Sequence, residues 1–598
     1  MKFPYGLSDF AAIRQEGYFY QDRTGLIPQL EQAGRQLLFL RPRRFGKSLL
    51  LSMLENYYDV RRGAQFETLF GTLAIGQNPT PLHNQYCILH WDFSLVKCRG
   101  EIADIEMALH QCVNQAIQDC AVNYQLQVRI ADNNSIMSLS RLLSAIRTNG
   151  QKLYLFIDEY DNFANEVLVA RQEHYEALLY GDGLFRTLFK AVKATASGQG
   201  LERVFITGVS PVAMSDMTSG YNVAEDIYLE PEFNALCGFT EAEVGCLLKV
   251  LMPTDEAGLS QALLMLKTFY NGYRFSPLAA ARVYNPTLTL YFLKRYQKYG
   301  AYPQSMLDDN LSMDRNRLNY IAERLQGEPV LLDALDNQTG VVIPALSSRF
   351  GVEDLHRIRD SQTLMASLLY YLGILTLDGE AGFGECRLGI PNLVVRSLYV
   401  ERLQDWLALE SADLQTRRAV ARQFCLSGEM EPVCQFIETR LLKTLSIRDY
   451  RWSNELAIKI LFMAVLFNDH IYMMVSETEV NHGYADLSFI VRPDMRRFKP
   501  LDLVLEFKYA SLNEVKLSGE ELRQKSREEL MQLPLVASKL AEAEVQAMRY
   551  GDSLIERFKL PSITRFAVVA LGLERLVFRR IVGLASWQPT AQSLPPNP

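Results

Sequence analysis

The chain lacks the residue patterns that mark disulfide-rich, zinc-binding and histidine-dependent proteins. Its nine cysteines include no Cys-x-x-Cys pair, which is typical of reduced thiols in a cytosolic protein rather than of a disulfide or zinc framework. Only seven histidines occur, without a spaced cluster, so nothing indicates histidine-based catalysis. We therefore expect a cytoplasmic protein with buried, reduced cysteines.

Long apolar runs are scarce as well. The N-terminal segment, residues 1–23, has no uninterrupted apolar stretch of the kind that a signal peptide needs. The most apolar stretch, Ile460 to Phe467, is far shorter than the ~20 residues of a transmembrane helix. We expect neither a signal peptide nor any contact with a membrane.

A strong positive charge is also missing. The net charge of −7 argues against a wholly basic nucleic-acid binder, but it does not exclude a local basic groove. What the chain does have is an ordinary globular composition, 48% hydrophobic and 22% charged. At 598 residues it is long enough for three or four domains, at roughly 150 residues per domain.

Apolar, strand-like runs alternate with helical patterns from about residue 36 to 230. This alternation predicts βαβ units and a parallel sheet covered by helices on both faces. From about residue 240 to 450 the patterns are mostly helical, and after residue 450 a separate small α/β unit follows. The runs predicted in that last unit are Asn454–Phe467 (helix), Leu487–Val491 and Leu501–Phe507 (strands), Glu514–Leu533 and Leu535–Arg549 (helices), and Thr564–Leu571 (strand).

A phosphate-binding loop is predicted where the strand Gln36–Leu40 runs into a helix. Glycine followed by lysine and serine matches the last three positions of the Walker A pattern, in which backbone amides, the helix N-terminus and the lysine hold phosphate and the serine binds Mg²⁺. Arg41 stands where that pattern has its first glycine. A glycine-capped turn with a solvated lysine is the alternative. The predicted nucleotide-binding residues are Arg43, Arg44, Phe45, Gly46, Lys47 and Ser48.

A second motif delivers two carboxylates at the end of a buried strand. The run Leu153–Ile157 is followed by Asp158 and Glu159, and ligands bind at this edge of parallel sheets. Asp158 is predicted to hold the Mg²⁺ shell and Glu159 to polarise the attacking water, as in Walker B motifs. Both acids could instead be ordinary turn residues.

Hydroxyl groups mark a further strand end. Thr207 and Ser210 follow the run Val204–Ile206, and they are candidates to contact the γ-phosphate. Capping of the next turn is the alternative for both residues. Thr207 is the one that we include among the predicted nucleotide-binding residues.

The string Arg-Pro-Arg-Arg-Phe-Gly-Lys-Ser resembles the variant loop of a bacterial AAA-ATPase-like family. The resemblance implies an ATP-binding P-loop fold in which the missing first glycine is normal. Further elements of the chain that resemble the family follow in order: Tyr20–Thr24 (with arginine in place of lysine at position 23), Cys237–Val244, Tyr270–Phe275, Tyr284–Pro286 and Ile390–Asn392.

Two carboxylates and a lysine are predicted to meet in the C-terminal unit. Asp486 begins one predicted strand, and Glu506 and Lys508 leave the next strand on the same face, because strand side chains alternate with period two. The carboxylates could bind Mg²⁺, and the lysine could orient or deprotonate a water. A solvated strand edge is the alternative. The loop Arg492–Lys499 could contact a phosphate backbone or form a solvated hairpin tip.

The Asp…Glu-x-Lys pattern resembles the core of the PD-(D/E)XK nuclease superfamily, and the AAA-ATPase-like family usually ends in such a domain. This resemblance implies catalytic roles for Asp486, Glu506 and Lys508. It also implies an additional acid at Glu455 and a supporting glutamine at Gln546. The Gly483 that precedes the first acid fits the same pattern.

The predicted fold is α/β. It comprises a P-loop AAA-ATPase-like domain (1–235) whose parallel sheet has helices on both faces, a helical middle or lid region (236–445), a small PD-(D/E)XK nuclease-like domain (446–585) and a flexible tail (586–598). The predicted metal ligands are Ser48 and Asp158 at the nucleotide, and Asp486 and Glu506 in the last domain.

The predicted function is ATP binding and hydrolysis, coupled to a Mg²⁺-dependent nuclease-like domain that acts on nucleic acid, DNA above all, in defence against foreign DNA. The cofactors are ATP and Mg²⁺, and homo-oligomerisation is left open. The alternative is a nucleotide-dependent signalling switch whose C-terminal domain binds nucleic acid or protein without cleaving it.

Overall fold

The computed structural model describes most of the chain, in two compact units. One unit forms within residues 1–396 and the other from residue 397 on. The predicted boundary at 235/236 lies inside the first unit and the boundary at 445/446 inside the second, so the predicted domain limits stay a prediction. The described residues are 1–98, 100–170, 172–179, 183–196, 198–212, 223–307, 328–335, 340–348, 350–407, 411–442, 454–474 and 486–581.

A five-stranded parallel sheet forms the centre of the first unit, as predicted. Its order is β2-β3-β4-β1-β5, so the strand that leads into the phosphate loop lies between β4 and β5. Every residue of β3 is buried, which shows that both faces of the sheet are covered. The strands are β1 (Gln36–Leu40), β2 (Cys87–Asp92), β3 (Leu153–Asp158), β4 (Leu201–Gly208) and β5 (Glu225–Asp226).

The helices that accompany this sheet are mostly amphipathic. One of them, α6, has a buried stripe at helical spacing that includes Ile105, Leu109 and Val113. The helices are α1 (Phe10–Gln15), α2 (Ile27–Ala33), α3 (Lys47–Tyr58), α4 (Phe66–Phe70), α5 (Ala74–Gln77), α6 (Ile102–Asn123), α7 (Ser135–Thr148), α8 (Tyr160–Ala170), α9 (Gln172–Leu179) and α10 (Leu184–Thr195).

The middle region is mainly helical, as predicted, but it also contains a small antiparallel sheet in the order β6-β8-β7. These strands are only three to five residues long, so they have too few residues to show an alternating pattern in the sequence. The elements are α11 (Glu241–Leu251), α12 (Glu256–Tyr270), α13 (Pro286–Tyr299), α14 (Glu328–Asp333), β6 (Val341–Ile343), α15 (Val352–Arg357), α16 (Gln362–Tyr371), β7 (Thr376–Glu380), β8 (Cys386–Gly389) and α17 (Leu393–Trp406).

The second unit is built on a five-stranded mixed sheet in the order β13-β12-β11-β10-β9. Only β11 and β12 are parallel, and the other neighbours are antiparallel. The elements are α18 (Ser411–Ser427), α19 (Glu431–Phe436), α20 (Glu455–Leu466), β9 (Tyr472–Met474), β10 (Leu487–Val491), β11 (Leu503–Ala510), α21 (Leu512–Val515), α22 (Gly519–Gln524), α23 (Arg527–Met531), α24 (Pro534–Phe558), β12 (Thr564–Leu571) and β13 (Arg575–Ile581).

The single charged helix predicted over Glu514–Leu533 is wrong, because three short helices occupy this segment. Each begins with a capping box in which a serine hydroxyl and a glutamate three residues later exchange hydrogen bonds with the backbone. The serines are Ser511, Ser518 and Ser526. Because three helices start in succession, the segment does not form the single helix that its composition predicts.

No helix among the described residues is long and apolar enough to cross a membrane. The predicted flexible tail, residues 586–598, lies outside the described residues, as does Gly483.

Candidate functional sites

The phosphate loop has the backbone geometry of an anion site. Gly46 adopts a φ of 91° immediately before α3, a left-handed conformation that glycine enters without steric cost. No side chain caps the N-terminus of α3, so its first amides are available to an anion, and the helix dipole adds partial positive charge there. The strand, glycine turn and helix therefore form the arrangement that the sequence predicts.

Ser48 and Asp158 bring the two predicted nucleotide motifs together. The Ser48 hydroxyl, on α3, donates a hydrogen bond to Oδ2 of Asp158, the last residue of β3, at 2.8 Å. Burial raises the pKa of Asp158, whereas this hydrogen bond and the ammonium of Lys47 lower it. The pair supplies a hydroxyl and a carboxylate oxygen, which are ligands that Mg²⁺ accepts.

The Lys47 side chain is buried beside the loop. Its ammonium donates to the carbonyl oxygens of Arg41 at 3.1 Å and Pro42 at 3.3 Å. Burial lowers the pKa of Lys47, and the charges of Asp158, Asp161 and Glu159 act against that shift. A cation that is held only by backbone carbonyls can exchange them for phosphate oxygens, which bind it more strongly.

Glu159 follows Asp158 in a strained backbone conformation. Its φ is 49°, and Arg44 across the cavity has a φ of 65°. For residues that carry a Cβ this costs about 1–2 kcal/mol each, and such strain concentrates at functional sites. Burial raises the pKa of the Glu159 carboxyl, and Arg43 and Lys47 lower it.

A cavity of about 600 Å³ opens around the loop. It is lined by all six predicted loop residues, Arg43 to Ser48, and by Glu159. Its other walls include residues 4–8, residues 19–21 with Arg23, residues 236–239, Asn162 with Glu166, and residues 286, 287 and 290. The segments at 19–23 and at 236–239 overlap elements on which the family resemblance rests, as does Pro286.

The structure places Thr207 in the sheet rather than in this cavity wall. Thr207 pairs with Phe39 of β1 and is fully buried, and its hydroxyl has no hydrogen-bond partner among the described residues. The Ser210 hydroxyl donates to Asp161 Oδ2 at 2.9 Å, so it stabilises the turn after β4. Contact between Thr207 and the γ-phosphate stays a prediction.

Arg41 explains why the loop does without the first Walker A glycine. Its guanidinium is buried and donates to the carbonyl oxygens of Leu40, Tyr228 and Phe233, and burial lowers its pKa to about 10. It also lies over the Phe275 ring at 4.1 Å. Sequence reasoning missed this role, because two of the partners are 187 and 192 residues away along the chain.

Phe45 anchors the same loop from its other end. Its buried ring packs edge-to-face on Tyr273 at 4.8 Å and on Phe275 at 5.2 Å. The aromatic element Tyr270–Phe275 therefore fixes the loop at two positions, 41 and 45. The side chain of Phe45 thus positions the backbone of the loop, and its part in nucleotide binding stays a prediction.

The predicted acids of the second unit lie side by side. The register of β10 and β11 pairs Leu487 with Leu505 and so sets Asp486 opposite Glu506. The Asp486 amide donates to Glu506 Oε1 at 3.1 Å, and the Phe507 amide donates to Asp486 Oδ2 at 2.9 Å. Burial, and then the neighbouring Asp486, raise the pKa of Glu506 to about 9.

Lys508 lies next to these acids and contacts two more. Its ammonium is 3.6 Å from Glu455 Oε1 and 3.8 Å from Glu542 Oε1. Burial and the charge of Asp486 raise the pKa of Glu455, which places that acid in the same cluster. Gln546, on α24, has a buried Oε1 without a hydrogen-bond partner among the described residues.

The chemistry of this cluster fits a hard cation. Two buried carboxylates, Asp486 and Glu506, supply oxygen ligands of the type that Mg²⁺ takes while it keeps several waters. Within the part of the chain that the structure describes, no group of three or more acidic, histidine or cysteine side chains is arranged to hold a metal ion. These two carboxylates would therefore hold Mg²⁺ together with water.

The first two arginines of the loop after β10 form ion pairs with nearby aspartates of the same domain. Arg492 is fully buried and forms a two-bond ion pair with Asp494. Arg496 does the same with Asp502, at 2.9 and 3.2 Å. Arg497 and Lys499, at the tip of the loop, are exposed, and contact of this loop with a phosphate backbone stays a prediction.

Comparison with protein families agrees with the two predicted domain types. Residues 4–218 match the family model described as "Predicted AAA-ATPase", and residues 453–546 match the model of the PD-(D/E)XK nuclease superfamily. The chain combines an AAA-ATPase-like domain with a PD-(D/E)XK nuclease-superfamily domain. The first match contains the whole phosphate loop and Asp158 with Glu159, and the second contains Asp486, Glu506 and Lys508.

A curated relative of this two-domain protein comes from Azotobacter chroococcum mcd 1, where it is named "Uncharacterized protein in vnfD 5'region". It is 25% identical over 540 residues, which are 88% of this chain and 92% of the relative.

Solved structures with partial similarity include the Aeropyrum pernix ORC1 protein in complex with DNA (12% identity, 67% of this chain and 94% of that one, TM-score 0.25). Another is the Aeropyrum pernix ORC2 protein (11% identity, 66% and 98%, TM-score 0.30). At these TM-scores neither similarity supports a conclusion about this chain.

Proposed function

We propose that the protein binds and hydrolyses Mg²⁺·ATP in the cavity around Gly46. The observation that carries this proposal is the 2.8 Å hydrogen bond from Ser48 to Asp158. In P-loop ATPases these two groups share the nucleotide's Mg²⁺. The buried ammonium of Lys47 would meet the β- and γ-phosphates, and Glu159 would accept a proton from the attacking water.

The ATP cycle in turn controls a nuclease-like activity of the C-terminal domain on nucleic acid. Asp486 and Glu506 would hold Mg²⁺, which stabilises the negative charge that develops on a phosphodiester when a water attacks it. Lys508 lies beside the carboxylates and would orient or deprotonate that water. A preference for DNA, a role in defence against foreign DNA, a cytoplasmic location and homo-oligomerisation belong to the same proposal and rest on the resemblance and the composition.

One observation favours a second candidate function. Burial and Asp486 raise the pKa of Glu506, and the described residues add no third metal ligand to the Asp486–Glu506 pair. A domain in this state can bind nucleic acid or protein without cleaving it. The protein would then be a nucleotide-dependent switch.

A cleavage assay separates the two candidates. Single- and double-stranded DNA and RNA are incubated with the full chain, with and without ATP and Mg²⁺. We expect Mg²⁺-dependent cleavage by the parent protein. Asp486→Ala and Lys508→Ala should lose cleavage and keep ATP turnover, because the nucleotide site belongs to the other unit.

Glu520→Ala is the matched control, since this acid is exposed on α22 of the same domain, and it should cleave like the parent. Parental cleavage by Asp486→Ala or Lys508→Ala would refute the nuclease assignment. ATP turnover by the parent without cleavage of any substrate would favour the switch.

A further inference from the structure

Arg43 occupies a distinct position in the nucleotide cavity. Its terminal nitrogen Nη2 donates a hydrogen bond to Oδ1 of Asn162 at 2.7 Å. Its Nε is buried and has no hydrogen-bond partner among the described residues. The charge of Arg43 also lowers the pKa of Glu159 against the effect of burial. A guanidinium with spare donors therefore lies close to the glutamate that is proposed to activate water.

Asn162 is held so that its carbonyl faces this arginine. Its amide nitrogen donates to Glu166 Oε1 at 3.0 Å, one helical turn further along α8. A carboxylate can only accept and a guanidinium can only donate, so these two neighbours fix the orientation of the amide between them. The backbone amide of Asn162 also donates to the carbonyl oxygen of Glu159 at 2.9 Å. All four side chains line the same cavity.

We propose that Arg43 reads the terminal phosphate of the bound nucleotide, and that Asn162, oriented by Glu166, is the positioning residue that keeps Arg43 beside Glu159 until this phosphate arrives. The proposal rests on the nucleotide site proposed above. It makes Arg43 the residue that distinguishes a nucleoside triphosphate from a diphosphate.

The exchange of partners has a physical basis. A hydrogen bond between a guanidinium and a neutral amide is weaker than one to a charged phosphate oxygen, which also accepts two parallel bonds from arginine. Arg43 therefore leaves Asn162 when a terminal phosphate is within reach and stays with Asn162 when it is absent. The neutral amide holds the arginine firmly enough to order it and weakly enough to release it.

Calorimetry with Mg²⁺ and either ADP or the non-hydrolysable triphosphate AMP-PNP tests this inference on the full chain. Arg43→Ala should weaken AMP-PNP binding by at least about tenfold, the usual effect of losing a charged hydrogen bond, and change ADP affinity by less than about twofold. Arg147→Ala removes the same charge from an exposed arginine that donates to Gln199, and should match the parent with both nucleotides.

Asn162→Asp, made together with Glu166→Gln so that the new carboxylate has an amide donor in place of the Glu166 carboxylate, keeps the shape of the side chain and sets a carboxylate against the guanidinium. It should retain Arg43 too strongly, so that AMP-PNP affinity and kcat fall while ADP affinity and the melting temperature stay near the parental values. Asn162→Leu removes the amide oxygen that accepts the hydrogen bond from Arg43, and it should lower kcat more than it changes KM.

Three outcomes would overturn the inference or its foundation. An unchanged ratio of AMP-PNP to ADP affinity in Arg43→Ala would show that this residue does not read the terminal phosphate. An equal loss of both nucleotides in the double variant with Asn162→Asp and Glu166→Gln, with a lowered melting temperature, would show a structural role only. If the parent binds neither nucleotide, the proposed nucleotide site itself is wrong.

Discussion

The two acid pairs of this protein lie in different electrostatic surroundings. Asp158 and Glu159 stand at the end of a parallel strand, where a helix N-terminus, Lys47 and Arg43 supply positive charge. Asp486 and Glu506 face each other across an antiparallel pair, with one nearby ammonium. We propose a site for an anion at the first pair and a site for a cation at the second, where burial and Asp486 raise the pKa of Glu506.

The difference shows that a carboxylate pair has no fixed chemistry of its own. In our proposal the same two residue types become part of a phosphate site or of a cation site according to which charges the neighbouring elements deliver. In the first unit the neighbours are basic and no side chain caps the N-terminus of α3, while in the second the single ammonium of Lys508 is accompanied by two more acids, Glu455 and Glu542.

The largest effect is expected when the basic neighbour of the first acid pair, Lys47, is removed. Lys47→Ala removes the ammonium that lies beside Asp158, so the site loses its main attraction for the β- and γ-phosphates. ATP affinity measured by calorimetry should fall by about a hundredfold or more, the range expected when a buried charged partner is removed.

Lys267→Ala, at an exposed ion pair with Glu241, is the control and should bind ATP like the parent. Unchanged ATP affinity in Lys47→Ala would contradict the placement of the nucleotide.

A second effect, on the rate of hydrolysis and not on binding, is expected when charge is removed from Glu159 while its shape is kept. Glu159→Gln should bind ATP with near-parental affinity and hydrolyse it about a hundredfold or more slowly, as is usual when a general base is lost. Phosphate release and ATP binding are measured on the same preparation. Hydrolysis at the parental rate would mean that another group activates the water.

The smallest effect concerns pH and the acid pair of the second unit. In metal-free protein the folded-state pKa of Glu506 lies near 9, above its usual 4.5, because of burial and Asp486. The stability that this shift contributes is therefore complete below about pH 4.5 and is lost as pH rises towards about 9. Urea unfolding in EDTA should show the parent losing stability over this range.

Glu506→Gln should lose less stability over the same range, since its amide does not titrate. Identical pH profiles for the two proteins would show that the carboxylates do not share a proton. Added Mg²⁺ should flatten the parental profile, because a bound cation stabilises both ionised carboxylates.

The sequence predicted those parts of the fold that depend on local pattern. Two strands, Leu487–Val491 and Thr564–Leu571, have the bounds that alternation and apolar runs indicate. The pairing of Asp486 with Glu506 also follows from strand period and from the chain reversal between them. The three short helices after β11 were predictable in principle, since a serine followed three residues later by a glutamate marks each start.

Features that depend on contacts between residues far apart along the chain could not be predicted from the sequence. The buried Arg41 bonds to carbonyl groups contributed by residues 228 and 233, and only the folded chain brings them together. The contact between Arg43 and Asn162 crosses 119 positions. The raised pKa of Glu506 depends on burial that no pattern of neighbours in the sequence reports.

The arginine at position 41 has a consequence for motif searches and for protein engineering. A search that demands the consensus glycine there passes over this loop, although the loop is complete by other means. An engineer who restored the glycine would leave three carbonyl oxygens without their shared donor and a vacant space against Phe275. The apparent defect in the motif is thus a different solution to the same folding problem, and correcting it towards the consensus would damage the protein.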